Sequence, residues 1–287
     1  MTDPVRDPHS GYLTTGHVWN GITELNSPVP RAVWMFYWVA HLAALMILIL
    51  WPAIPLWNTA TKGLLGTDQH SEVNAAVADV VQARSVWTTK IAVMPVADIQ
   101  ADPALMTIVR QSGATLFGTN CAACHGKGAQ GGPGFPNLTD ADWSWGNDPD
   151  TIMETLRVGI NSAHPDSRIA QMIGFGHDEL LTKAQIALLV PYVMGLSVPG
   201  TVPDPAAMTL FAENCAACHG ENARGLIEVG APNLTDDIWL YGGDAAAIRT
   251  TLWTGRMGLM PTWEARLSEV DRKILTLYVL DIGAPAP

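Results

Sequence analysis

One five-residue stretch constrains this chain more than any other, and it occurs twice: Cys121-Ala122-Ala123-Cys124-His125 and Cys215-Ala216-Ala217-Cys218-His219. The two copies use all 4 cysteines of the protein. Cys-x-x-Cys-His is the attachment motif of a c-type haem. Two thiols three positions apart reach the two vinyl groups on one edge of a porphyrin, and the next imidazole then lies beneath the iron. A haem bonded in this way stays put, and its iron is held for electron traffic. Two other uses of such pairs compete. A thioredoxin-like dithiol needs a βαβ context that is absent here, and a four-thiolate zinc site would use both pairs. Neither explains a histidine at the same place after each pair. The sequence therefore predicts two covalently bound haem c groups, with Cys121, Cys124, Cys215 and Cys218 as the bonding thiols and His125 and His219 as iron ligands.

The motifs belong to an internal repeat. Thr115-Leu116-Phe117 precedes the first and Thr209-Leu210-Phe211 the second. Pro136-Asn137-Leu138-Thr139-Asp140 matches Pro232-Asn233-Leu234-Thr235-Asp236, Trp143 matches Trp239, and Thr155-Leu156 matches Thr251-Leu252. The offset is 94 positions at the cysteines (121 to 215) and 96 after them (137 to 233). Each copy reads as short helices joined by long loops. Asp102-Pro103, Asp204-Pro205 and Asp148-Pro149 are N-cap and proline starts, and Asp244 opens the matching helix of copy two. Gly159 and Gly255 end the middle helices. Thr182 with Gln185, and Ser268 with Asp271, open the last ones. The fold class is mainly α, with two tandem class I-like cytochrome c domains at 103–199 and 200–287.

A haem iron with one histidine has a second face, and a methionine there raises the potential and closes the site to dioxygen. Met260, 41 residues past His219, stands in a turn before the last helix, with Met257 as its neighbour and competitor. Pro261 makes the chain extended at Met260, which favours it. In copy one the segment after Gly159 is longer, and Met172 is the loop methionine, 47 residues past His125. Its rivals are Met153, Met194, His164 and His177. Trp143, Trp145, Trp239 and Tyr241 are expected to wall the haem crevices, and Arg157 and Arg256 are candidates to pair with haem propionates.

Ahead of the repeats, Ala32 to Trp51 holds no formally charged residue, about the length of a bilayer-spanning helix. Trp34, Tyr37 and Trp38 crowd one end, and Trp51 and Trp57 mark the other. The apolar run is too long for a cleaved signal peptide and no small-residue cleavage site follows, so a retained anchor over 32–57 is expected. His41 lies inside it, either as a functional polar group or as a neutral packing contact. Residues 1–31 read as an irregular arm. The linker 58–102 reads as a short helix from Ser71, then an extended or loop-like stretch from Thr88 to Ala101. The net charge of −11 argues against nucleic acid and for a basic docking partner. Covalent haem attachment places the C-terminal part on the oxidising side of a bacterial membrane, with the N-terminus in the cytoplasm.

These residues resemble a family. One N-terminal anchor and two Cys-x-x-Cys-His domains, each with Pro-Asn-Leu-Thr-Asp and a tryptophan, resemble the dihaem P subunit (CcoP/FixP) of cbb(3)-type cytochrome c oxidase. Thr15-Gly16-His17-Val18-Trp19-Asn20-Gly21-Ile22 is similar to that family's segment before the anchor, and Arg168-Ile169-Ala170-Gln171-Met172 to its first ligand loop. The resemblance implies axial pairs of His125 with Met172 and His219 with Met260. It implies an electron-transfer subunit with no catalytic centre of its own. Its partners would be the catalytic haem–copper subunit, the monohaem cytochrome c subunit, a cytochrome c donor or cytochrome bc complex, and membrane lipid. Rival readings are a dihaem peroxidase, an anchored cytochrome serving a periplasmic dehydrogenase, and a haem-based sensor.

Overall fold

The computed structural model describes residues 3–283, which divide into two compact units between Ala83 and Arg84. In the first unit, the N-terminal arm contains a hairpin of β1 (Thr14–Trp19) and β2 (Ile22–Leu25), paired antiparallel with Trp19 opposite Ile22. This corrects the reading of an irregular arm. Its signal was present in Asn20-Gly21, a two-residue turn in which both residues have positive φ (50° and 85°). Helix α1 (Arg31–Leu50) follows. Its 20 residues span about 30 Å and none of its side chains is buried, so length and composition suit it to cross a membrane. His41 Nδ1 bonds the carbonyl of Tyr37 at 2.8 Å, one turn back in its own helix. A second small hairpin, β3 (Pro55–Leu56) with β4 (Thr59–Ala60), comes next.

Helix α2 runs from Gln69 to Val93, and α3 from Val96 to Ala101. The stretch from Thr88 to Ala101 is thus helical, not extended. Its physical reason lies in packing: Ile91 and Ile99 are both fully buried, in one cluster with Leu105, Met106, Val109, Ile274 and Leu277. Lys273 Nζ also donates to the Met94 carbonyl at 2.6 Å, which ties off the α2 C-terminus.

The rest is α4 (Pro103–Asn120), α5 (Ala122–His125), α6 (Pro149–Val158), α7 (Lys183–Gly195), α8 (Pro205–Asn214), α9 (Ala216–His219), α10 (Ala245–Thr254) and α11 (Glu269–Gly283). Local chemistry sets their ends as the sequence predicts. Asp102 accepts from the N–H groups of Ala104 and Leu105, Asp148 from Thr151, Asp204 from Ala206, and Asp244 from Ala246 and Ala247. Thr182 and Gln185 form a reciprocal capping box.

The helices do not close copy by copy. Helix α4 of copy one packs against α11 of copy two, with the Phe117 and Tyr278 rings 5.8 Å apart. Helix α8 of copy two packs against α7 of copy one, with Phe211 and Tyr192 at 5.4 Å. One core holds Phe117, Ile152, Leu156, Trp263, Leu275 and Val279. The other holds Leu189, Val190, Phe211, Ile248 and Leu252 among its members. Each lobe therefore joins the N-terminal half of one repeat to the C-terminal half of the other. We call the lobe with Cys121 the first and that with Cys215 the second. Connection length gives the reason: only residues 196–204 separate α7 from α8, so α7 folds back on the helix that follows it. That leaves α11 for α4.

Candidate functional site

In each lobe a long helix delivers the Cys-x-x-Cys-His stretch at its C-terminal end. Cys121 N–H donates to Phe117 O at 2.8 Å, and Cys215 N–H to Phe211 O at 2.8 Å. A single further turn then presents both thiols and the imidazole. Cys121 is half-buried and Cys215 buried, while Cys124 and Cys218 are exposed. Burial, helped by the neighbouring thiol's charge, pushes the Cys121 and Cys215 thiols up to about 11. They are neutral thiols at physiological pH.

The histidines are fixed by backbone. His125 Nδ1 bonds the Pro136 carbonyl at 3.0 Å, and His219 Nδ1 the Pro232 carbonyl at 3.1 Å. A carbonyl only accepts, so Nδ1 carries the proton and Nε2 keeps its lone pair for a metal. Burial lowers both imidazoles from their ordinary value, with the carbonyl bond opposing it, which favours the neutral ligand form. The carbonyls come from the repeated Pro-Asn-Leu-Thr-Asp turns. There Asn137 Oδ1 accepts from Thr139 N–H at 2.9 Å, and Asn233 Oδ1 from Thr235 N–H at 3.0 Å. An oriented imidazole with a free Nε2 beside two thiols on one turn fits a covalently attached haem.

The loop methionines are placed crosswise. Met260 packs into the first lobe with Cys121, Ala122 and Trp143, and Met172 into the second with Ala216, Leu234 and Trp239. The expected partners, His125 with Met172 and His219 with Met260, thus lie in different lobes, because the chain exchanges its C-terminal halves. Backbone pairing fixes both loops. Ile160 and Met260 exchange N–H···O bonds at 2.9 Å each, and Met172 and Arg256 at 2.8 Å each. Gly159 and Gly255, at φ 73° and 71°, make these approaches possible: a Cβ there would strike the carbonyls of Met260 and Met172 respectively.

The rival ligands are occupied or turned outward. His164 Nε2 bonds Glu264 at 2.9 Å and its Nδ1 accepts from Asp166 N–H. His177 is largely exposed and bonds Asp178. Met257 and Met194 are exposed, and Met153 lines a surface cavity of about 370 Å³ with Asp150, Glu154 and Arg157. Arg157 is engaged by Glu154, Asp166 and Glu264, which removes it as a propionate partner. Arg168, in the first ligand loop, lies over Trp145, its Cζ 4.8 Å from the ring centroid.

An apolar N-terminal helix ahead of two intertwined haem-attachment lobes defines a c-type cytochrome with a candidate membrane anchor. Family comparisons agree. Residues 111–197 match cytochrome c, residues 11–58 the N-terminal domain of cytochrome oxidase-cbb3, FixP, and residues 204–279 cytochrome c oxidase, cbb3-type, subunit III. The chain is 44% identical over 280 residues to the cbb3-type cytochrome c oxidase subunit FixP of Bradyrhizobium sp. (strain ORS 278), covering 96% of this chain and 97% of that protein. It is also 44% identical to subunit CcoP of Cereibacter sphaeroides, over 94% of each chain. The FixP subunit of Bradyrhizobium diazoefficiens is 42% identical over 99% of each. The chain belongs to the FixP/CcoP family of cbb3-type cytochrome c oxidase subunits.

Proposed function

We propose that this chain is the dihaem electron-entry subunit of its oxidase, with one covalent haem c in each lobe. In the first lobe Cys121 and Cys124 would bond the haem, and His125 and Met260 would hold its iron. In the second lobe Cys215 and Cys218 would bond it, and His219 and Met172 would hold its iron. The observation that carries this is the meeting of one Cys-x-x-Cys-His turn and one loop methionine in each core. A bound haem supplies a one-electron couple and nothing more. The chain's residues do the rest: the prolyl carbonyls orient the imidazoles, the Met260 and Met172 side chains would supply the second iron ligand, and buried Phe117, Trp263, Phe211 and Leu252 exclude water. One electron in and one electron out is the chemistry such a closed site supports.

In this reading α1 anchors the chain in the inner membrane, with the N-terminus cytoplasmic and the lobes periplasmic. Electrons come from a cytochrome c or a cytochrome bc complex and pass to the monohaem subunit and the haem–copper subunit. Purification in mild detergent with a haem inventory tests this. Two c-type haems per chain, co-purifying with b-type haem, copper and dioxygen-reducing activity, is the expected result. Two c-type haems in an isolated chain would favour a cytochrome serving a periplasmic dehydrogenase. Met260→Ala is expected to open the iron of the first-lobe haem to carbon monoxide, and opening of the second-lobe haem instead would refute the crosswise assignment.

A further inference from the structure

Three short segments meet beside the loop methionines, and one side chain ties them together. The middle segment is Gly159-Ile160-Asn161. Ile160 pairs antiparallel with Met260 on one side and parallel with Arg168 on the other. Asn161 N–H donates to Arg168 O at 2.7 Å. The Asn161 side chain then reaches both neighbours. Its Nδ2 donates to Gly258 O at 2.7 Å and to Ala170 O at 2.8 Å, and its Oδ1 accepts from Ala170 N–H at 3.1 Å. That N–H fixes which end of the amide is oxygen. Gly258 is two residues before Met260, and Ala170 two residues before Met172. One amide thus grips both loops, each within about 7 Å of extended chain from its methionine. Met260 lies in the core of the first lobe and Met172 in that of the second. Gly159 and Gly255, by contrast, each approach the carbonyl of one methionine.

The backbone of Asn161 suits this grip. Its φ is 49°, in the left-handed region, which asparagine enters more readily than most residues with a Cβ. Copy two has no counterpart. Gly159 and Gly255 are equivalent in the repeat, so Asn161 matches Met257, which is 66% exposed. Met260 stands 5 positions past Gly255, whereas Met172 stands 13 past Gly159. The extra length of copy one brings Ala170 back alongside Asn161. Two symmetric clamps would hold each methionine separately. Here one residue, from the copy with the insertion, serves both.

We propose that Asn161 is the positioning residue for both loop methionines, setting the second iron ligand in each lobe at once. The proposal rests on the reading that each lobe holds a haem with its loop methionine on the iron. Without the amide, Gly258 O and Ala170 O lose a donor and Ala170 N–H loses its acceptor, so both loops loosen together. The pairing of Ile160 with Met260 and of Met172 with Arg256 remains, so the loops are loosened and not unfolded. A methionine that leaves the iron opens that face to an added ligand.

The test places Asn161→Gly in the full chain in detergent, and in the two forms that keep a single haem, one lacking Cys121 and Cys124 and the other lacking Cys215 and Cys218. Glycine adopts the same φ freely and removes only the side chain. The haem-to-protein ratio is measured first, then the thioether-to-iron absorption band and carbon monoxide binding to the reduced protein. The fraction that binds carbon monoxide is expected to rise about tenfold in both single-haem forms, the effect of one net hydrogen bond on an equilibrium. Asn161→Asp keeps an oxygen for Ala170 N–H but sets a carboxylate against Gly258 O. It is expected to weaken the same band in both lobes, and it serves if the glycine variant does not mature. Ser167→Ala is the control. Ser167 Oγ accepts from Ser162 N–H at 2.8 Å inside the same insertion and bonds neither Gly258 nor Ala170, so both bands are expected to stay unchanged. An effect confined to one lobe, no effect in either, or an equal effect from Ser167→Ala would overturn the proposal alone. Fewer than two haems in the unaltered chain, or no thioether band, would overturn the reading beneath it, and the proposal with it.

Discussion

Truncating Leu275 to alanine isolates the consequence of the exchanged lobes. Leu275 is 1% exposed, on α11 of copy two, in the core that holds Phe117, Leu156 and Trp263 of the first lobe. Leu→Ala at such a site costs about 2–5 kcal/mol, the lost transfer energy plus the cavity left behind. Against a whole-domain stability of about 5–15 kcal/mol this is a large fraction. It raises the population of an opened lobe by about 30- to 4,000-fold, at tenfold per 1.4 kcal/mol. Two single-haem backgrounds report which lobe opens, one lacking Cys121 and Cys124 and the other lacking Cys215 and Cys218. Denaturant unfolding is followed in each by the thioether-to-iron absorption band and by carbon monoxide binding to the reduced protein. Leu275→Ala is expected to destabilise the background that keeps the first haem, although Leu275 lies 56 positions past His219. Leu189→Ala, fully buried on α7 of copy one, is expected to act on the second haem. If Leu275→Ala instead loosens the lobe of Cys215 and spares that of Cys121, the exchanged packing is wrong.

Other consequences follow the same geometry. Gly159→Ala is expected to displace Met260 and Gly255→Ala to displace Met172, each losing more than about 1 kcal/mol in the lobe whose methionine moves; the same band in the two single-haem backgrounds reads which. A fragment of residues 103–199 is expected not to fold as a cytochrome, because Phe117 and Leu156 would lack α11, and circular dichroism with haem incorporation checks this. Hydrogen bonds from Thr151, its side chain first and then its N–H, hold the Asp148 carboxyl below the usual carboxylate range. That contribution is complete above the unfolded carboxyl value of about 4 and is lost as pH falls through the lowered one. Asp148→Asn is therefore expected to flatten the acid limb of a stability-against-pH curve. With a net charge of −11, turnover with a basic donor is expected to fall as salt shortens the Debye length to about 10 Å at 0.1 M, and steady-state kinetics against ionic strength measure it.

Much of the local structure was legible because its causes lie within a few residues. Asp102, Asp148, Asp204 and Asp244 cap the helices they precede, and the capping box of Thr182 and Gln185 is a contact across three positions. The turns that orient His125 and His219 recur because each is built by one asparagine on its own backbone. The two elements that differ from the sequence expectation have different origins. Asn20-Gly21 is a local hairpin signal, two positive-φ residues between short strands. The helix through Thr88–Val93 and helix α3 (Val96–Ala101) depend on burying Ile91 and Ile99 against residues as distant as Ile274 and Leu277, which no local pattern reveals.

The sequence by itself determined the local chemistry: two Cys-x-x-Cys-His turns, which methionines stand in loops, and that the halves are copies of one another. It left the partner of each half undetermined, and it did so because they are copies. Phe117 and Phe211 are equivalent, so Tyr192 and Tyr278 can each serve either one, and both pairings bury the same kind of surface. Only the tertiary structure decides between them. The short link over 196–204 lays α7 against α8, α11 returns to α4, and Met260 and Met172 come to lie in the lobes of Cys121 and Cys215 respectively.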